Sequence, residues 1–211
     1  MKRSLLLVLL FSVSAGTQAQ ECDSSLAAEL LERNAKDQVA RKALIASPTS
    51  SEMNEAVLKI DKDNTVFMRR VLAKCGWPKK SVVGPEAAKA AWRLTQHADM
   101  DPDYQVLASR ELKYAVYGKE AEPWDLAVLV DRNRRLNDLP QVYGMQFFSA
   151  SDGSIEFYQI VSPAKIDERR KAIGLPTFFC WASSISKGND SASIRWPEGA
   201  PFQYSECKGA P

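Results

Sequence analysis

The stretch LAAELLERNAKDQVARKALIA, Leu26–Ala46, is followed by Pro48 and then by SEMNEAVLKIDKDNTVFMRRVLAKC, Ser51–Cys75; together they decide the fold. Ser24 or Ser25 supplies an N-cap for the first segment, and Pro48 forbids its continuation. Ser51 caps the second, which ends near Lys74 because Gly76 and Pro78 follow. Along the second segment Met53, Val57, Ile60, Phe67 and Val71 step by threes and fours, the signature of one helix face. Asn64 falls in register on that face, either as a polar pin between helices or as part of a site.

Two helices of similar length joined by a few residues must pack antiparallel. Cys22, before the first, then lies beside Cys75, after the second, which leaves Cys180 and Cys207 to pair with each other. A bridge closing a loop of about 54 residues is worth roughly 4 kcal/mol in the chain-entropy description. No CxxC occurs and the cysteine spacings are long, so two disulfides are expected rather than a metal centre.

Beyond the hairpin, GWPKKSVVGPE reads as a turn-rich loop, and Pro85 opens a third helix that runs to about Ala98. Asp99 or Asp101 caps a fourth, with Pro102 at its first position and Gly118 near its end. A fifth runs from Pro123 or Trp124 to about Asn137. The period then changes: QVYGMQFF, the turn SDG and SIEFYQIV form one β-hairpin, placing Gln141, Tyr143 and Gln146 on its first strand. PAKIDERRKAIGL returns to helix between Pro163 and Gly174, and the tail from Pro176 is read as a short strand pair stapled by Cys180 and Cys207. The class is therefore α+β, mostly α: an N-terminal antiparallel helical hairpin, further helices, one β-hairpin, a C-terminal helix and a disulfide-stapled tail.

Lys2-Arg3, an apolar run from Leu5 to Val13 and small residues ending at Ala19 form the three-part pattern of a secretory signal peptide, residues 1–19. The run is too short to span a bilayer, which takes about 20 residues, and no later segment is long and apolar enough. Gln20-Glu21 before Cys22 do not fit a lipid-attachment signal, so the expectation is a soluble exported chain, periplasmic or extracellular. Residues 20–211 are read as one domain, since no repeat or linker divides them. With 28 basic against 26 acidic residues and a net charge of +2, nothing points to nucleic acid or anionic lipid as partner.

Gly-rich phosphate loops, the GxSxG elbow and HExxH are absent, and a single histidine excludes any multi-histidine zinc site. The aspartates at 99, 101 and 103 lack the Gly and distal Glu of a calcium loop. No cofactor or metal is therefore expected. The polar groups that stand out are Gln96, His97 and Asp99 at one helix end, Gln105 just beyond, Asp131 and Arg132 inside the otherwise apolar DLAVLVDRN, and Gln141, Tyr143 and Gln146. His97 beside a carboxylate suits a general base; equally, a histidine in a helix's last turn complements the helix dipole. Asp131 and Arg132 point about 100 degrees apart, so Arg132 is expected to reach another element's carboxylate, such as Asp99.

Five ordered segments, DKDNTVFMRRVLAKCGWPKKSVVG, AAWRLTQHADMDPDYQ, VLVDRNRR, PQVYGMQF and IDERRKAIGL, together resemble a bacterial family of unknown function. Its pattern runs DxxN, GWPxxSxVG, AAWxxxQHAD, DR, QxYGxQ and RRxxxGL, and the likeness covers about residues 61–175. The resemblance carries no activity. It implies that Asn64, Trp77, His97, Asp99, Asp131, Arg132, Gln141, Tyr143 and Gln146 belong to one constellation, a polar cleft between the third and fifth helices and the first strand. The sequence departs from the pattern at Met145, where Thr is usual, and in its cysteine-bearing ends. Two functions fit: a binding or immunity-like module holding a polar ligand or a protein partner, or a hydrolase-like enzyme using His97 with Asp99 or Asp131 and Arg132.

Overall fold

The computed structural model describes residues 24–201 together with Cys22 and Cys207. Residues 1–19, expected from the sequence to be a signal peptide, lie outside the described residues. Helix α1 (Ser24–Ala46) already contains both serines expected as caps, and α2 (Ser51–Cys75) is capped by Ser50 rather than Ser51, through Ser50 Oγ accepting from the Met53 amide at 3.3 Å. Gly76, at φ +68°, ends α2 in a conformation few residues other than glycine adopt. The two helices form the expected antiparallel hairpin, and Cys22 and Cys75 join its open end with Cα atoms 5.7 Å apart.

The loop after Trp77 is not wholly irregular, because Lys80–Val83 close one turn of helix, α3. Helix α4 (Pro85–Gln96) packs across both arms of the hairpin, presenting Ala87, Ala90, Ala91 and Leu94. Alanines on that face let three helix axes approach closely. Asp101, not Asp99, caps α5 (Pro102–Tyr117) by accepting from the Tyr104 amide at 3.1 Å. Helix α6 (Pro123–Leu136) lies against α5 and α4, and the helices enclose one main core that includes Leu30, Met68, Trp77, Leu112 and Leu129.

Strands β1 (Phe147–Ser149) and β2 (Ile155–Phe157) form the antiparallel hairpin, shorter than expected, with Phe147 opposite Phe157. Gln141, Tyr143 and Gln146 precede it in a loop, correcting their assignment to a strand; only Gln141 makes an isolated bridge, to Ile160. A 3₁₀ turn at Pro163–Lys165 leads into α7 (Ile166–Ala172). The tail is the larger correction: instead of a strand pair it forms α8 (Phe178–Gly188), then β3 (Ile194–Arg195), which pairs parallel with β2. Thr177 Oγ1 caps α8 by accepting from the Cys180 amide, and Cys180 is bridged to Cys207.

The loop from Gln141 to Gln146 is held from all sides. Asp131, fully buried in α6, accepts from the amides of Val142 at 2.7 Å, Tyr143 at 3.1 Å and Met145 at 2.9 Å. Arg169 donates to the Val142 carbonyl at 2.8 Å, Arg170 to that of Tyr143 at 2.5 Å and Trp181 to that of Gly144 at 3.0 Å. The Gln141 amide folds back onto Gln146 N and O and onto Tyr158 O. Gly144 adopts φ +72°, and a Cβ there would lie 2.6 Å from the Phe178 ring. Glycine alone satisfies both constraints.

Removing the Asp131 carboxylate strips acceptors from three buried amides and leaves Arg170 with Asp167 as the acid that opposes its burial. Asp131→Ala is expected to cost about 3–5 kcal/mol in urea-induced unfolding. An unchanged unfolding midpoint would show that the arginines and Gln141 hold the loop unaided.

Candidate functional site

The only histidine does not face Asp99 or Asp131. His97 caps the C-terminus of α4, and that position turns its ring toward the midpoint of the helical hairpin. There Asp37 and Arg41, one turn apart on α1, and Asp61 on α2 meet it. Asp37 continues the buried stripe of Leu26 and Leu30 and is itself only 1% exposed. His97 Nδ1 lies 3.1 Å from Asp37 Oδ1. Arg41 Nε lies 3.0 Å from both of those atoms, and its Nη2 donates to Asp61 Oδ1 at 2.5 Å.

Two contacts compete for Nδ1, and the charge on Asp37 favours a proton there over the bond from Arg41 Nε. If Nδ1 carried no proton, its lone pair would face the Asp37 oxygen at 3.1 Å, an acceptor against an acceptor. With the proton on Nδ1, both His97 and Arg41 donate to Asp37 Oδ1, and the bond from Arg41 Nε that a bare Nδ1 would accept is given up for one to an ionised oxygen. Nε2 then carries the free lone pair. That atom hydrogen-bonds to no described residue and is not buried, and the ring is 14% exposed.

The two carboxylates are pushed in opposite directions. Burial raises the Asp37 carboxyl, but the hydrogen bond and charge of His97, with help from Gln38 and Arg41, outweigh it and hold the group below the ordinary carboxylate range. For Asp61 burial prevails over Arg41 and raises the carboxyl above that range. Paired groups whose environments separate them this way suit opposite roles in proton transfer.

Asp37, Asp61 and His97 each offer one ligand atom, all within 4.8 Å of one another, so the types and spacing suit a divalent cation. The Arg41 guanidinium bonds to both carboxylates, however, and already supplies the positive charge. A metal would have to displace it.

The remaining candidates fall into separate groups. Asp99 takes a two-pronged pair from Arg132, Nε at 2.9 Å and Nη2 at 2.5 Å, as the helix geometry suggested. Buried Gln105 bonds to Asp99, to the carbonyls of Thr95 and Gln96, and to Asn133. Asp131, Gln141, Tyr143 and Gln146 belong to the loop anchored from α6, and Trp77 sits in the main core. Asn64 accepts from Arg33 Nη1 at 3.2 Å, across from α2 to α1. The constellation implied by the resemblance is thus spread over distinct hydrogen-bonded groups, and the structure adds Asp37 and Arg41 to His97. A signal existed for these two: an acid seven residues beyond Leu30 interrupts an apolar stripe, with an arginine one turn on. Asp61, the first residue of DxxN, meets His97 of QHAD only through tertiary packing.

Residues 24–186 match the model of a family described as a family of unknown function, DUF6624. Each disulfide has one partner outside that span, Cys22 or Cys207. No curated protein and no solved structure matches the chain.

The opposed carboxylates make a pH prediction. Asp37, lowered in the folded state, contributes stability that is present above its unfolded pKa and lost as pH falls through its folded one; Asp61, raised, costs stability as pH climbs from its unfolded value through its folded one. Asp37→Asn is expected to lower the melting temperature near pH 7, by a margin that shrinks as pH falls below the ordinary aspartate value of about 4. Asp61→Asn is expected to gain relative to wild type across the range just above pH 4. Parallel melting curves for all three proteins at every pH would refute the assignment.

Proposed function

The chain belongs to the DUF6624 family, and we propose that it is an exported, hydrolase-like enzyme of the acid–base type, with Asp37, Arg41, Asp61 and His97 as its working groups. Export is supported by the N-terminal sequence pattern and by two disulfides, which persist in oxidising compartments. One observation carries the activity: the single histidine has Nδ1 against a fully buried carboxylate and Nε2 with no hydrogen-bond partner among the described residues.

In this reading Nε2 takes a proton from water as its oxygen attacks the substrate, while the Nδ1 proton stays on the bond to Asp37. The same nitrogen returns its proton to the leaving group. Asp37 is a positioning residue that fixes the tautomer and stabilises the imidazolium, as buried carboxylates beside catalytic histidines do. Arg41 offers its guanidinium to charge developing on the substrate, and Asp61, raised by burial, is the second proton-exchanging group. The orienting role considered for Asp99 or Asp131 passes to Asp37. A binding role for the Asp99–Arg132 rim has less support, since its groups already bond to one another.

Because there is one histidine, long-range ¹⁵N NMR reads the tautomer without assignment: the neutral ring is expected to carry its proton on Nδ1. His97→Gln is expected to slow hydrolysis of a responsive 4-nitrophenyl ester or phosphate by about 10²–10⁴-fold. A proton on Nε2, or turnover that survives His97→Gln, would overturn the proposal.

A further inference from the structure

We infer that the groove between α1 and α2 binds the carboxylate group of a small ligand, at a place separate from the His97 cluster and independent of the acid–base reading. The groove encloses about 480 Å³, and Arg33 and Lys36 on α1 face Lys59, Asp63 and Asn64 on α2 across it. That volume lies within the range of small-molecule sites.

Asn64 is the telling residue. It is only 4% exposed, its Oδ1 accepts from Arg33 Nη1, and its Nδ2 has no partner among the described residues. A buried donor left unpaired is costly, and as a register pin Asn64 needs only the bond that it already makes. Beside it Arg33 Nη1 donates to Asp63 Oδ2 at 2.6 Å, so a carboxylate oxygen already occupies the neighbouring position. Asp63 is held lightly: its side chain is 71% exposed, and exposed pairs contribute little.

A ligand carboxylate fits that position better than the tethered Asp63. It places one oxygen on Arg33 and the other on Asn64 Nδ2, a two-point match for a planar anion. Lys59, one helical turn before Asp63 and without an ion-pair partner among the described residues, adds positive charge to the same rim. The other acids of the groove are engaged, Glu29 with Arg33 and Glu32 with Lys36. A free amino-acid derivative or a peptide C-terminus would supply the anion.

The test follows the Asn64 side-chain amide in ¹H–¹⁵N spectra of the full disulfide-bonded chain, titrated with acetate and with N-acetylglycine, against acetamide and against sodium chloride at equal ionic strength. A saturable shift is expected with both carboxylates and with neither control. N-acetylglycine binding more tightly than acetate would mark a peptide-like ligand; equal binding would mark the carboxylate alone. Asp63→Asn removes the competing carboxylate and is expected to tighten binding several-fold, and Lys59→Ala to weaken it several-fold; both changes are at exposed positions. Asn64→Leu is expected to abolish the response of the Arg33 Nε resonance. Absence of a saturable shift in Asp63→Asn, or one matched by chloride or acetamide, would overturn the inference.

Discussion

The carboxylate of Asp131 is the constraint around which the second half of the molecule is arranged. A buried charge is tolerated only when it is fully hydrogen-bonded, and here the bonds come from backbone amides of one short loop. Because three amides converge on two oxygens, the chain from Gln141 to Met145 must curl around that point. The curl turns its carbonyls outward, where Arg169, Arg170 and Trp181 meet them. Burial lowers the Arg170 guanidinium to about 10, with Asp167 and Asp131 opposing the shift. Its Nη1 also lies 3.5 Å from the Met145 sulfur, and its Nη2 is unpaired among the described residues. A threonine at that position would offer a hydroxyl where methionine offers a weak acceptor.

The neighbouring residue carries the constraint to the other half. Adjacent positions on α6 diverge, so while Asp131 grips the loop, Arg132 grips Asp99 in the joint between α4 and α5. His97 is two residues before Asp99. The pair therefore fixes where α4 ends, and with it the direction of the imidazole toward α1. Gln105 strengthens the joint by donating to the last carbonyls of α4, which have no partner inside the helix. The DR, QHAD and QxYGxQ motifs are thus connected mechanically rather than by a common cleft.

Much of this was legible in the sequence, and the limits have physical causes. The helical hairpin followed from apolar periodicity and terminators, and the disulfide pairing followed from the hairpin. The Arg132–Asp99 pair followed from the angle between adjacent helical residues. Helix α8 was missed because FFCW and SIS are β-favouring by composition; burial of Phe178, Ala182 and Ile185 on one face, with the Thr177 cap, outweighs that preference. Gln141 and Tyr143 looked like strand residues because the alternation of side chains is the same whether the backbone bonds go to a partner strand or to a carboxylate. Asp37 and Arg41 resembled an ordinary solvated i, i+4 pair, since a helix pattern does not show that another element will cover it.

That covering element determines the chemistry. With both carboxylates ionised and His97 neutral, Asp37, Asp61 and Arg41 carry a net charge of −1 at the junction of three helices. Removing such a charge from water is costly, and the structure resolves the cost unevenly: Asp37 has two donors on one oxygen, whereas Asp61 has Arg41. The less-bonded carboxylate is the one driven toward its protonated form. Asp61 thus keeps its proton to higher pH than a carboxyl in water would, beside an imidazole nitrogen with no hydrogen-bond partner among the described residues. An arginine preserves that arrangement and a divalent cation would not, because the cation's second positive charge would favour the ionised form of both acids.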